Sequence, residues 1–227
     1  MRRYNNVYIL TVCALMISIM LLFGFTPIGT ISTGALTITL MGIPVAIMAC
    51  LFGPIMGALA GLSWGLISLA QAFMGMDATG AMILASENLS PFTKYFGLFT
   101  ICVVARVLCG FLSGFIYDLV KKFDSKGFWA SLVGSMSTSL LNTIFFMTFF
   151  CLFFYNMPEI QEQFNPQNVF VFIFTIIGFN FIIEFVVNGV VGSAATYGIC
   201  KAADHLGVNN PLPRFFQEDR VKEVKEK

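Results

Sequence analysis

Six apolar runs, at about residues 7–25, 40–52, 55–73, 95–120, 128–155 and 169–203, constrain this chain more than any motif in it. Glycine, proline or charge closes each one. In hydrocarbon no water is available to the peptide groups, so a spanning run must become a helix that bonds its own backbone. Six spans of ~20 residues need about 120 positions, and 227 residues that are 57% hydrophobic supply them. Charged residues make up 11%, against roughly 25% in a soluble domain. A soluble enzyme, a disordered chain and a nucleic-acid-binding domain are excluded, the last also by a net charge of +1. The expected fold is an all-α integral membrane bundle of six transmembrane helices, with residues 1–203 as one domain and residues 204–227 as a charged cytoplasmic tail.

Arg2 and Arg3 before the first run resemble a signal peptide, but Gly24-Phe25-Thr26-Pro27 offers no small-x-small cleavage site, so the run reads as a retained helix. The second run is short and holds Pro44, which predicts a bent or partly re-entrant helix. Gly53-Pro54 predicts a tight turn. The sixth run is longer than ~30 Å of hydrocarbon requires, so it must tilt or project. With six spans both termini share a side. Arg2, Arg3, Lys121, Lys122, Lys126, Lys201, Arg214, Arg220, Lys222, Lys225 and Lys227 all fall there, whereas the opposite loops hold Lys94 against Asp77, Glu87, Glu159 and Glu162. Cytoplasmic loops carry the excess of Lys and Arg, so both termini are expected inside the cell.

Polar side chains that persist in lipid face the bundle interior and mark ligand paths. Trp64, Ser68 and Gln71 on helix three, Ser135, Thr138 and Asn142 on helix five, and Asn180, Glu184 and Asn188 on helix six each recur at helical spacing. Three polar stripes therefore point inward, and their depth predicts a site open to the outside. Arg106, about a dozen residues into helix four, costs at least ~2.5 to 3.5 kcal/mol there and needs an anion. Two readings stay open: an ion pair with Glu184 that joins two helices, or capture of a ligand carboxylate by the guanidinium fork. They coexist if Glu184 holds Arg106 while the site is empty. Gln71, Asn142 and Asn180 also have a plainer reading, as interhelical hydrogen bonds worth ~0.6 kcal/mol each.

Small residues form a second pattern. Gly57, Gly61 and Gly65 on helix three, Gly110 and Gly114 on helix four, and Ala14 and Ser18 on helix one each recur every fourth position. Such stripes let backbones touch, either inside the bundle or against a partner helix. Cys13, Cys50, Cys102, Cys109, Cys151 and Cys200 are scattered without metal-site or disulfide spacing and read as small apolar residues. The lone histidine, His205, sits at the end of helix six, and the chain has neither an HExxH helix nor a GxxxxGK[ST] phosphate loop. No catalytic residue, metal or bound cofactor is expected, and the chain cannot hydrolyse ATP itself.

The order of these landmarks resembles the substrate-binding S components of energy-coupling factor (ECF) vitamin transporters. Ile38-Thr39-Leu40-Met41-Gly42-Ile43-Pro44-Val45, followed by Leu51-Phe52-Gly53-Pro54-Ile55-Met56-Gly57-Ala58-Leu59-Ala60-Gly61, is similar to that family's pattern joining helices two and three. Leu89-Ser90-Pro91-Phe92, Arg106, Asn142-Thr143 and Asn180-x-x-x-Glu184 resemble positions in its pantothenate-type members. Two departures stand out: Gly42 where the family often has a histidine, which bears on the substrate, and Ser18 in an Ala-x-x-x-Ala stripe, which keeps a small side chain. The resemblance implies a protein that is not an enzyme. It would capture a small water-soluble vitamin, pantothenate first among them, from outside the bacterial cell membrane. Trp64, Ser68, Gln71, Arg106, Asn142, Asn180 and Glu184 would bind the substrate. Ala14 and Ser18 would dock a module of one transmembrane coupling protein and two ATP-binding subunits, whose ATP use topples the S component to release its cargo inward.

Three other readings compete: an S component for folate or riboflavin, a stand-alone secondary transporter, and a membrane scaffold. Secondary transporters commonly carry an internal repeat, and none is visible here.

Overall fold

The computed structural model describes residues 2–27, 29–32, 37–124, 127–164 and 181–205. Helix α1 (Arg2–Phe25) turns Cys13, Met16, Met20 and Gly24 inward at spacings of three and four residues. Its opposite face, with Val7, Thr11, Ala14, Ser18 and Leu22, is exposed. A short antiparallel hairpin follows, β1 (Thr30–Ser32) on β2 (Thr37–Thr39), with Thr30 opposite Thr39 and Ser32 opposite Thr37. The all-α expectation lacked this hairpin. Its Thr and Ile residues favour strands, but three residues are too few for an alternating pattern to stand out.

Helix α2 (Gly42–Phe52) is buried along almost its whole length. Its 11 residues rise ~16 Å, about half of a ~30 Å hydrocarbon core. Pro44 lies in its first turn, where a missing N–H breaks no helical bond. Gly53 then reverses the chain at φ 90°, a left-handed conformation that glycine adopts freely. Pro54 follows at the first position of α3 (Pro54–Phe73).

Two short helices interrupt segments that read as loops. In α4 (Ala78–Ala85) the Asp77 carboxylate caps the start by accepting from the Gly80 N–H at 2.8 Å. The other is α7 (Pro158–Phe164). Between them run α5 (Pro91–Lys121), capped by Ser90 through the Thr93 N–H, and α6 (Phe128–Phe154). Helix α8 occupies residues 181–205. The stretch near residue 169 where a sixth helix was expected to begin, and the tail from residue 206, lie outside the described residues. Val7–Phe25, α3, α5, α6 and Phe181–Ala202 are each long and apolar enough to cross a membrane. The protein is an integral membrane helical bundle.

The glycine stripes are spent inside it. A Cβ at Gly57 would stand 2.3 Å from the Gly110 carbonyl oxygen, one at Gly61 2.1 Å from that of Arg106, and one at Gly65 2.8 Å from that of Cys102. Helices α3 and α5 therefore run antiparallel with their backbones in contact, which is the internal-packing reading of these residues. On the far side of α5 the Cys109 thiol donates to the Thr138 carbonyl at 3.1 Å, which joins α5 to α6.

Candidate substrate-binding site

Arg106 follows a π-helical stretch of α5, Thr100–Val104. Such a widened turn disturbs the regular bonding ladder and is frequent at functional sites. A helical side chain leans back toward its own N-terminus. Accordingly, Nη1 of Arg106 donates to the carbonyls of Ile101 at 2.7 Å and Cys102 at 3.1 Å. The guanidinium carbon stands 5.1 Å from the Trp64 ring centre and 5.9 Å from that of Phe146. Carbonyl dipoles and two aromatic faces thus meet the charge.

Glu184 is engaged elsewhere. Its Oε1 accepts the backbone N–H of Thr39, at the end of the hairpin, at 3.0 Å. Among the described residues Arg106 and Glu184 form no direct ion pair, so of the two readings of Arg106 the interhelical pair is not the one built. What remains at Arg106 is an incomplete set of contacts: its Nε is buried without a hydrogen-bond partner. Asn142 Oδ1 is in the same condition. Both residues lie along the seam of α5 and α6, where Thr138, bonded by the Cys109 thiol, and Phe146, beside the guanidinium, each lie one turn from Asn142. A fixed cation with a spare donor and a spare carbonyl acceptor on the same seam can bind a ligand that carries an anion and an O–H or N–H group.

The remaining expected site residues divide between this junction and the framework. Trp64, Ser68 and Gln71 are buried along one face of α3. Trp64 belongs to the site through Arg106, while the Gln71 amide donates to the Gly24 carbonyl at 2.6 Å and ties α3 to the end of α1. Ser135 meets Thr196 of α8 at 3.3 Å, and Thr138 bonds back to Gly134 on its own helix. Asn180 lies outside the described residues. Ala14 and Ser18 stay on the outer face of α1, where the Ser18 hydroxyl is satisfied by the Ala14 carbonyl at 2.8 Å.

Three contributors were not singled out from sequence. Ser139 donates to the Glu184 backbone carbonyl at 3.2 Å and accepts from the Asn188 amide. Thr39 offers its backbone, and Phe146 its ring face. Ser139 had a signal, the hydroxyl run from Ser135 to Ser139; a backbone donor and one phenylalanine among 26 had none.

The family model for the ECF transporter substrate-specific component matches residues 9–193. The chain belongs to this family. As an ECF S component it serves membrane transport and is not an enzyme. It is 25% identical over 187 residues to the pantothenate transporter PanT of Leuconostoc mesenteroides subsp. mesenteroides, a match that covers 82% of this chain and 85% of that protein.

Proposed function

We propose that this S component captures pantothenate from outside a bacterial cell and hands it to an ATP-driven coupling module. The observation that carries the reading is the unfinished polar set around Arg106. Pantothenate has one carboxylate, two hydroxyls and an amide, which complement a guanidinium with a spare N–H and an asparagine with a spare carbonyl. Trp64 supplies the apolar wall that also holds the cation, Ser68 lies on the same face of α3, and Asn180, four residues before Glu184 in the sequence, adds a further polar group. In this role Glu184 fastens the hairpin over the site, and Gln71 sets the position of α1 beside it. The PanT relative supports pantothenate over folate or riboflavin.

Six crossings with both termini cytoplasmic complete the proposal. Tyr8 packs edge-on to Phe52 with ring centres 6.3 Å apart, and Met41 reaches Gly24 at the other end of α1. The short α2 and its lead-in therefore touch α1 near both Tyr8 and Gly24, which supports a sixth crossing and agrees with the Lys and Arg distribution. The exposed Ala14 and Ser18 face of α1 would then meet the transmembrane coupling protein, while two ATP-binding subunits use the nucleotide. This chain binds no cofactor in that scheme.

Titration of purified protein with pantothenate tests the reading. Arg106→Ala should weaken binding roughly 10- to 150-fold, the range for hydrogen bonds to a charged group; unchanged affinity refutes the anion role. Ala14→Trp should block association with the coupling module and spare pantothenate binding. Equal loss of both would assign the residue to folding. Uptake that persists without ATP-binding partners would favour a secondary carrier, and absence of binding to any vitamin would favour a scaffold.

A further inference from the structure

A second unfinished polar group lies deeper in the bundle, where α8 meets α6 and α2. Asn188 begins a second π-helical stretch, Asn188–Gly192, and is only 3% exposed. Its amide is oriented by a one-way chain of hydrogen bonds. Ser139 has a single hydroxyl proton and gives it to the Glu184 carbonyl, so Ser139 can only accept from Asn188, and the Asn188 NH2 group must face it. The carbonyl Oδ1 consequently points away from Ser139, buried and with no hydrogen-bond partner. Two glycines border it: a Cβ at Gly42 would lie 3.4 Å from this oxygen and one at Gly192 3.6 Å from it. A buried carbonyl left unpaired in an apolar surrounding costs free energy until a donor arrives, and the two bordering positions carry no side chain that would crowd it.

We infer that Asn188 is a specificity-determining residue of the S component, whose Oδ1 accepts a hydrogen bond from a hydroxyl of the bound vitamin. The inference rests on pantothenate as the substrate and adds a residue that reads the ligand's neutral end, as Arg106 reads its anionic end. Gly42 and Ser139 act as positioning residues: the first leaves room for the amide and the second turns it. A site built to bond a hydroxyl rejects the analogue that lacks it, because its own acceptor is then left unpaired.

The test compares pantothenate with two analogues in which one or the other hydroxyl is replaced by hydrogen, titrated calorimetrically into the full-length protein in detergent. The unmodified protein should prefer pantothenate over one analogue by roughly 5- to 150-fold. Asn188→Ala should bind pantothenate more weakly and bring that ratio close to one. Gly42→Ala, whose methyl group would crowd the Asn188 amide nitrogen at 2.9 Å, should narrow the same ratio and serves where Asn188→Ala does not fold. If the unmodified protein binds pantothenate with a clear preference and the folded variants keep it in full, the role of Asn188 is refuted and the pantothenate reading stands. If the protein binds no pantothenate at all, both fall together.

Discussion

Two seams of the bundle are closed by opposite means. Between α3 and α5 glycines stand at the closest approach: Gly57, Gly61, Gly65 and Gly110 bring carbonyl oxygens so close that a single added Cβ would overlap them. Between α6 and α8 the contact is made by side chains with hydrogen bonds, Ser135 to Thr196 and Asn188 through Ser139 to Glu184. Lipid tails are as apolar as leucine, so helices in a membrane gain little by hiding hydrocarbon and must associate through close packing or polar contacts. This protein uses one solution on each side of the candidate site. The glycine seam has one geometry only, and Arg106 springs from it, which fixes the guanidinium. The polar seam has spare bonding capacity, and Asn188 retains an unpaired carbonyl there.

The largest consequence of that contrast is unequal tolerance to added bulk. Gly61→Val should disrupt the glycine seam at a cost of about 3 kcal/mol or more, because overpacked atoms meet backbone that cannot turn aside. Thermal unfolding in detergent should fall by roughly 6–12 °C. A change of the same size at Gly189, where the nearest neighbour of a new Cβ is the flexible Met136 side chain at 3.3 Å, should cost far less. Equal losses at the two positions would erase the distinction between the seams.

An intermediate effect concerns the point where the glycine seam meets the site. Trp64→Leu keeps apolar bulk but removes a ring face from Arg106. Cation–π contacts contribute about 0.5–2 kcal/mol, so pantothenate affinity should fall roughly 3- to 30-fold. If stability falls while affinity holds, Trp64 supports the framework and does not hold the cation for the ligand.

Legibility from sequence follows the same division. The spans could be read because each hydrocarbon crossing leaves a long apolar run, and the glycine stripe because small residues at every fourth position have few other uses in a span. Arg106 stood out because a charge in such a run is costly. What it touches did not: π-helical carbonyls at Ile101 and Cys102 and the ring of Phe146 carry no pattern in a chain with 26 phenylalanines. Glu184 was visible as the only acidic residue in the spans near Arg106, and that put an ion pair beside ligand capture as a reading of Arg106. Its actual partner, a backbone N–H of a hairpin whose strands are three residues long, leaves no mark on composition or periodicity. Asn188 was legible as part of a stripe, but its orientation depends on Ser139, one hydroxyl among several on α6.

The smallest predicted effect separates bonds that build the polar seam from bonds that only link helices. Ser139→Ala removes both the donor to Glu184 and the acceptor for Asn188, two contacts of the kind worth ~0.6 kcal/mol each in a membrane. The expected loss of stability is about 1 kcal/mol, or roughly 2–4 °C in thermal unfolding. Gln71→Leu removes a single contact, to the Gly24 carbonyl, and should cost about half as much. The telling difference lies in binding. Freed from Ser139, the Asn188 amide can turn, so Ser139→Ala should weaken pantothenate binding beyond what its stability loss accounts for. Gln71→Leu should move both quantities slightly and together, because its amide is already committed to α1. If Ser139→Ala leaves affinity as Gln71→Leu does, the polar seam is framework like the glycine seam, and only the Arg106 end of the site distinguishes one ligand from another.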